Sequence, residues 1–392
     1  MHTLVKTKAL FDGTGSPLLH GGAFMIEDGR IVDVGPEDKF RHVAGGVEVL
    51  DLGDKYVMPG LVNAHTHISL VPGDGNQGAQ KRLRPQLNVL RSTPNILKDV
   101  LSGVTTIRVM GEEAGIDVDF KNAIDSGLIH GPRMIVSTLG ITASHSHGVT
   151  TRPSDGVDEV RKHVRQNFAN GAEFIKIFAT GGSSSTAGKS VHACPFTFEE
   201  ISTAVQEAQR HGTYVAAHAH GGTGLDYCID AGVRTIEHGA FISEAQLDRL
   251  IKQDSWVVAT FGIMYHPEGI ERTDFRNPII KERVLAARAA ATEHLCRLIQ
   301  SDCNLAVGTD SLHGLMHYEV EKVVEHGASN IKALQAATLN AARACQAEDK
   351  VGSLAAGKYA DFIVLADDPV ADVRSLRKVE AVYKSGVRFK GI

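Results

Sequence analysis

The sequence predicts an α/β protein, a (β/α)8 TIM barrel with a small discontinuous β-sandwich domain that both chain ends build together. From Met58 to about Gln346, short apolar runs alternate with helical patterns, and roughly eight such units fit. This alternation indicates parallel strands joined by crossover helices. Both ends of the chain carry closely spaced strand patterns instead. We therefore expect a composite domain of residues 1–57 plus 351–392 and a barrel of residues 58–350.

The elements of the small domain can be read from runs and turns. Ala23–Ile26 and Ile31–Val34 are apolar runs separated by a turn containing glycine, a pattern that favours a hairpin. Near the other end of the chain, Asp361–Leu365 and a strand pair at 381–389 repeat the pattern. The two ends together therefore predict one sheet-rich unit.

The barrel strands are predicted from short runs of apolar or β-branched residues. These runs are Val104–Val109, Met134–Thr138, Phe174–Phe178, Tyr214–Ala217, Thr235–Ile236, Trp256–Thr260 and Leu305–Val307. One helix start is explicit, because Thr197 and Glu200 have the spacing of a capping box ahead of the amphipathic run Ile201–His211. Gly212 then predicts the end of that helix.

Net charge, cysteine content and hydropathy limit the classes of function that this chain can have. The formal net charge is −5 with no basic block, which argues against binding to nucleic acid or to a membrane surface. The five cysteines are odd in number and form no CxxC pair, so thiols in a reducing cytoplasm are expected. No apolar run approaches a membrane span, and the start lacks signal-peptide features. We expect a cytoplasmic homo-oligomer that acts on a small molecule.

Two histidines follow the first predicted barrel strand. His65 and His67 are two positions apart, and residues with this spacing on a strand face the same side. Two imidazoles can therefore converge on one cation. The alternative is a pair of core histidines satisfied by hydrogen bonds.

A lysine stands among apolar residues in the run 172–178. Burying Lys176 as a cation would be costly, so its amine must be neutralised or paired. One interpretation is a salt bridge to a barrel carboxylate. The other is carboxylation by CO2, which yields an anion able to bridge two metals. The neutral amine that carboxylation needs costs about 4.6 kcal/mol near pH 7 for an ordinary lysine, which metal binding could offset.

Further metal-ligand side chains end three later strands. His218 and His220 repeat the two-residue spacing, His238 ends the next strand, and Asp310 follows the last. Each alone is as consistent with a structural role as with a functional one. Because the ends of parallel barrel strands converge on the face where active sites form, their common placement favours one site.

These motifs carry a resemblance: the sequence resembles the amidohydrolase superfamily over nearly its whole length. Within that superfamily it is similar to the imidazolonepropionase-related group, which contains metal-dependent dipeptidases, prolidases and carboxypeptidase-like enzymes. The segments that carry the resemblance are Phe11–Gly15, Glu27–Ile31, Val57–Leu61, His65–His67, Ile175–Ile177 with Gly181–Gly182, His218–Gly221, Glu237–Gly239, Gly308–Ser311 and Gly352–Leu365.

The resemblance implies two divalent metal ions, with zinc as the expected metal. It assigns His65, His67 and Asp310 to one ion, His218 and His238 to the other, and a carboxylated Lys176 to the bridging position. A hydroxide that bridges the ions would attack the substrate, with Asp310 as general base and then acid. His145 matches a family histidine that would stabilise the oxyanion.

The implied function is binuclear hydrolysis of an amide or peptide C–N bond in a small substrate, either a dipeptide or an N-acyl amino acid. Expected substrate contacts are His220, Tyr265 and Arg108, for which the alternatives are a role orienting a ligand, a surface tyrosine and an ion pair. Three features depart from the family. Ala143-Ser144 replaces its Gly-Gly before His145, with His147 following. On the expected active-site face, the stretch Ser183–Gly188 is small and polar, and the loop from Asp310 to Glu319 looks shorter than in many relatives.

The sequence leaves other functions open. The same nucleophile would hydrolyse an arylamide, carbamate, urea or cyclic amide, as in imidazolonepropionase or a xenobiotic hydrolase, and less readily a phosphotriester. A non-catalytic metal-binding relative is a second alternative, although all six ligand positions carry competent groups. A barrel isomerase or aldolase using a Schiff base on Lys176 would leave the four histidines and Asp310 unexplained.

Overall fold

The computed structural model describes residues 2–42, 46–74, 77–148, 152–182, 191–274 and 278–390. In this part of the chain the strands are β1 (His2–Lys6), β2 (Ala9–Leu10), β3 (Leu19–His20), β4 (Gly22–Glu27), β5 (Arg30–Pro36), β6 (Glu48–Asp51), β7 (Tyr56–Pro59), β8 (Leu61–Thr66), β9 (Val104–Val109), β10 (Arg133–Val136), β11 (Ile175–Phe178), β12 (Val215–Ala219), β13 (Thr235–His238), β14 (Trp256–Ala259), β15 (Asn304–Val307), β16 (Phe362–Leu365), β17 (Val379–Lys384) and β18 (Val387–Lys390).

The α-helices of the same residues are α1 (Gln77–Lys81), α2 (Pro85–Leu101), α3 (Ile116–Asp125), α4 (Val157–Ala169), α5 (Phe198–Arg210), α6 (Gly222–Ala231), α7 (Glu244–Lys252), α8 (Phe261–Tyr265), α9 (Ile270–Asp274), α10 (Pro278–Gln300), α11 (Met316–Glu325), α12 (Asn330–Ala336) and α13 (Leu339–Ala344). Short 3-10 turns lie at Glu37–Phe40, Glu113–Gly115 and Val373–Arg377. None of these helices is long and apolar enough to cross a membrane.

Two sheets form the small domain in the described ranges. One has the strand order β5-β4-β1-β6, and the other has the order β18-β17-β16-β7-β2-β3. The predicted hairpin is confirmed: Glu27 pairs with Arg30, and Asp28 and Gly29 have φ of 47° and 77°. Positive φ at both central residues is what a two-residue type I′ turn requires.

The two chain ends meet in the core of this domain. The Phe24 ring lies 5.2 Å from that of Phe362, which stacks on Tyr383 at 4.3 Å. These buried rings connect the N-terminal sheet to strands from the end of the chain. Strand β7 crosses the predicted boundary between residues 57 and 58 and pairs with β16, so it links this domain to the barrel. The domain bounds themselves stay a prediction.

Eight parallel strands of the described residues, β8 to β15, form the barrel. Backbone hydrogen bonds order them as β10-β9-β8 and β11-β12-β13-β14-β15. Two contacts join these groups: a bridge between Thr66 and Asp310, and a bridge between Ile141 and Ile177. The barrel and sandwich predicted from the sequence are confirmed. Most strand residues are buried because helices cover the outside of the barrel and side chains fill its interior.

The capping box predicted at Thr197 is confirmed. The Thr197 hydroxyl oxygen accepts a hydrogen bond from the Glu200 backbone N–H, and the Glu200 carboxylate accepts one from the Thr197 N–H. These bonds start α5 at Phe198, so local sequence fixes the position of this helix on the barrel.

Candidate metal centre

Histidines from three barrel strands converge at the carboxyl ends of those strands. The His65 ring centroid lies 5.5 Å from that of His67 and 4.8 Å from that of His238. The His218 and His238 centroids are 4.6 Å apart. The structure therefore brings together the four histidines that the strand pattern singled out.

Asp310 joins this cluster from the loop after β15. Potential ligand atoms of His65, His238 and Asp310 all lie within 4.8 Å of one another. The backbone holds the aspartate there, since its N–H donates to the His65 carbonyl oxygen and its own carbonyl oxygen accepts from the His67 N–H, each at 2.9 Å. A carboxylate and imidazoles at this separation form a candidate metal-binding group.

The hydrogen bonds of His65 and His67 leave a ring nitrogen available. His65 donates from Nδ1 to the Glu237 carboxylate at 2.7 Å, and its buried Nε2 has no hydrogen-bond partner among the described residues. His67 donates from Nδ1 to the Gly111 carbonyl oxygen at 3.3 Å. In each neutral ring the Nε2 lone pair can therefore bind a cation.

The other two histidines are oriented in the same way. His238 places Nδ1 2.7 Å from the Thr260 hydroxyl, and His218 donates from Nε2 to the Gly181 carbonyl oxygen at 3.1 Å. Burial lowers the pKa of all four histidines, so they are neutral near pH 7. Neutral rings with one nitrogen anchored are suited to metal binding.

Lys176 lies in the same interior, on β11. Its side chain is fully buried, and Nζ has no hydrogen-bond partner in the described part of the protein. Burial lowers its pKa to about 7, although the charges of Glu237 and Asp310 oppose the shift. About half of such amines are neutral at pH 7, so most of the usual cost of deprotonation is removed. The salt bridge considered from the sequence does not form with any described carboxylate.

Glu237 connects the histidine cluster to the barrel interior, and its role was not foreseen from the sequence. Its carboxylate accepts hydrogen bonds from His65, from Arg108 Nη2 at 2.8 Å and from the Thr235 hydroxyl at 2.5 Å. Burial alone would raise the pKa of Glu237, but the Arg108 charge and the His65 contact lower it to about 2. The available sequence signal was a carboxylate directly before His238.

The backbone at His238 explains how neighbouring residues reach one point. On a regular strand Glu237 and His238 would face opposite sides, yet both contact His65. His238 has φ of 73° and Asp310 has φ of 56°, values in the left-handed region that non-glycine residues rarely adopt. Such backbone strain is concentrated at functional sites, where surrounding bonds hold it.

His220 shares the barrel face with His218, as its spacing predicted. The two ring centroids are 4.8 Å apart, and His220 lies 5.3 Å from His238. Burial lowers the pKa of His220 to about 4, and its buried Nδ1 has no partner among the described residues. A neutral imidazole therefore lies beside the candidate metal ligands.

The structure places His147, rather than His145, beside the cluster. His145 is exposed, whereas the His147 ring lies 4.5 Å from His218 and 5.8 Å from Phe178. His145 therefore does not adjoin the histidine cluster, and the oxyanion contact assigned to it from the sequence stays a prediction. The pattern left both histidines open, because loop residues carry no strand periodicity that would select one of them.

Arg108 and Tyr265, which were expected to contact the substrate, form hydrogen bonds with other groups of the protein. Arg108 is fully buried, and its guanidinium donates to Glu237, the Ala64 carbonyl oxygen and the Thr235 hydroxyl. The Tyr265 hydroxyl is 3.0 Å from that of Thr292 on α10. These contacts favour the ion-pair alternative for Arg108. Tyr265 is partly buried against the core, so the alternative of a surface tyrosine is not supported. The stretch Ser183–Gly188 lies outside the described residues.

Glu237→Gln is expected to weaken metal affinity about 10- to 100-fold, because glutamine can neither fix the His65 tautomer as a carboxylate nor balance Arg108. Competition with a chelating indicator would measure the affinity. Glu325→Gln is a suitable control, since Glu325 pairs with Lys322 on the outside of α11. Equal metal affinities of the wild type and Glu237→Gln would show that Glu237 does not support metal binding.

Comparison with known proteins is consistent with this site. The profile described as amidohydrolase family matches residues 56–388. Ochratoxinase from Aspergillus niger is 27% identical, over 99% of this chain and 87% of its own. Imidazolonepropionase from Desulfotalea psychrophila is 24% identical, over 93% of this chain and 91% of its own.

Solved structures of similar proteins share the fold of this chain along its whole length. A Xaa-Pro dipeptidase with bound methionine in its active site superposes with a TM-score of 0.90 at 28% identity, and all of both chains is covered. Ochratoxinase from A. niger superposes with a TM-score of 0.88 at 25% identity, over 100% of this chain and 96% of its own.

Proposed function

Because the chain belongs to the amidohydrolase family and is a metal-dependent hydrolase of carbon–nitrogen bonds, we propose that it cleaves the amide or peptide bond of a dipeptide or an N-acyl amino acid with two bound cations. The observation that carries the proposal is the set of neutral imidazoles, each with one ring nitrogen anchored, around Asp310 and Lys176, whose amine has no hydrogen-bond partner among the described residues. These donors suit divalent cations, with zinc as the expected metal.

In this proposal His65, His67 and Asp310 hold one cation, and His218 and His238 hold the other. A carboxylated Lys176 would be a ligand of both. When bound, the cations supply Lewis-acid activation of the scissile carbonyl and lower the pKa of water. The chain contributes the fixed ring tautomers and a largely closed interior, in which electrostatic interactions are stronger than in bulk water.

Carboxylation of Lys176 needs only CO2 and a neutral amine. The Nζ lone pair forms a bond to the carbon of CO2, one C–O π pair moves to oxygen, and the nitrogen releases a proton to water. The product is a carbamate anion on a longer side chain. The pKa of about 7 for Lys176 supports this step, because much of the amine is already neutral at physiological pH.

Asp310 is proposed to move the proton during hydrolysis. Its carboxylate takes a proton from the attacking water and delivers it to the leaving amine nitrogen as the C–N bond breaks. His147 is proposed to stabilise negative charge on the acyl oxygen, since its ring lies beside His218. His220, which is neutral and buried beside His218, is proposed to contact the substrate.

The substrate class is proposed from the relatives. One similar structure is named a Xaa-Pro dipeptidase and holds methionine in its active site, so an amino acid leaving group is consistent with this fold and site. The same chemistry would hydrolyse an arylamide, carbamate, urea or cyclic amide. A homo-oligomeric state and a cytoplasmic location stay predictions.

A screen for free-amine release would test the proposal. The substrates are N-acyl amino acids, dipeptides with varied C-terminal residues including proline, and arylamides, each with and without EDTA. We expect EDTA to abolish release from peptides or N-acyl amino acids and added zinc to restore it.

Two results would contradict the proposal. Turnover confined to arylamides, carbamates or ring amides would support the metal mechanism but contradict the proposed substrate class. Turnover that resists EDTA in a protein shown to be metal-free would exclude the metal mechanism itself.

A further inference from the structure

We propose that Lys81 binds an anionic group of the substrate, and that the enzyme thereby selects amides whose leaving group carries a free carboxylate. The inference rests on the proposed function and adds a specificity residue to it. It starts from the short helix α1, which carries none of the proposed metal ligands.

Lys81 is the last residue of the short helix α1. The preceding residue, Gln80, fixes this helix to the loop after β8. The Gln80 side chain accepts a hydrogen bond from the Val71 N–H at 2.9 Å and donates one to the Val71 carbonyl oxygen at 3.0 Å. Both contacts make Gln80 a buried anchor. The adjacent Lys81 is half-buried, so its ammonium group is held near the protein rather than extended into solvent.

The Lys81 ammonium group lies on the metal side of this loop. Its Nζ is 5.9 Å from the centroid of the Phe178 ring, whose other neighbours include His218 at 5.7 Å and Lys176 Nζ at 4.9 Å. Lys81 therefore stands close to the proposed reaction centre.

Lys81 has no ion-pair partner in the described part of the chain, unlike several other lysines. Lys55, for comparison, lies 3.1 Å from Glu380, and Lys39 lies 2.5 Å from Asp33. The charge of Lys81 lowers the pKa of the buried Glu112, against the larger effect of burial, which raises it. The Glu112 carboxylate oxygens already accept hydrogen bonds from Ser69. A contact with the Phe178 ring offsets only part of the cost of partial desolvation.

A carboxylate of the substrate would give the Lys81 ammonium group an ion-pair partner. Lys81 and the bound cations would together give this side of the site a positive potential, which attracts anions. An N-acyl amino acid or a dipeptide brings one carboxylate, on its leaving group. A charge-assisted hydrogen bond to an ammonium group changes affinity by about 10- to 100-fold.

The test compares N-acetyl-L-methionine with its carboxamide, which differ by one negative charge. The readout is the ratio of kcat/KM for the acid to that for the carboxamide, from acetate release by the metal-loaded enzyme. Lys81→Met is expected to lower this ratio about 10- to 100-fold, and Lys81→Arg to retain most of it. Lys98→Met is the matched control, since Lys98 is exposed on α2 and should leave the ratio unchanged.

A binding measurement separates this inference from the proposed function. Calorimetry with L-methionine, a reaction product, is expected to show about 10- to 100-fold weaker binding by Lys81→Met than by the wild type and Lys98→Met. Equal binding by all three, or no binding by the wild type, would overturn the role of Lys81 even if amides are hydrolysed. Weaker binding by Lys81→Met without any amide hydrolysis by the wild type would keep the anion site and reject the proposed function.

Discussion

Lys176→Ala is expected to lose most of its bound metal and nearly all turnover, a fall of at least about 10⁴-fold, since the bridging ligand and its charge disappear together. Elemental analysis of the purified protein and steady-state rates would measure both losses. Because Nζ has no hydrogen-bond partner among the described residues, the substitution breaks no polar contact there and the fold should survive. Circular dichroism would check the fold.

A rescue experiment makes the prediction specific. Short-chain carboxylic acids such as acetate or propionate should restore part of the metal content and rate, since they can occupy the space and supply the carboxylate of the missing side chain. Lys384→Ala is the matched control, because Lys384 is a partly buried lysine on β17 of the small domain, where it donates to the Gly131 carbonyl oxygen of the barrel. Wild-type turnover by Lys176→Ala without added acid would exclude the bridging role.

Asp310→Asn is expected to keep the fold and to lower kcat by about 10²- to 10⁴-fold, because an amide of the same shape cannot accept the proton of the attacking water. The loop should stay in place, since backbone bonds to His65 and His67 hold residue 310 independently of its side chain. The measurement pairs the kcat of each variant with its metal content.

The metal content separates the two roles proposed for Asp310. A metal-loaded but inactive variant would support proton transfer, whereas loss of metal would place the effect in cation binding. Asp302→Asn is the control, because Asp302 is exposed before β15 and should leave both readouts unchanged. Retained activity in Asp310→Asn would remove this residue as the base.

The sequence predicted the histidine cluster because strand geometry is local. His65 and His67, like His218 and His220, follow apolar runs at a spacing of two, which places both side chains of a pair on one side of a strand. The observed ring separations of 5.5 and 4.8 Å agree with that geometry. The barrel itself followed from the alternation of strand and helix patterns, which is also a local signal.

Residues that act through contacts across the barrel were harder to predict. Glu237 reaches His65 over a sequence separation of 172 residues, and Arg108 reaches Glu237 over 129. Periodicity says which side of a strand a residue faces, but not which side chain from another strand it meets. Arg108 was consequently interpreted in two ways, and Glu237 received no role.

The sequence by itself determined the kind of fold, the ligand types and the strand ends at which they stand. Tertiary structure alone decided that Lys176 is buried without a salt bridge to any described residue, that His147 rather than His145 adjoins His218, and that Lys81 lies over Phe178. The physical reason is that burial, charge neighbours and loop positions depend on contacts between distant segments. A strand repeat is set by backbone geometry over a few residues, whereas a pKa or a loop contact is set by everything packed around it.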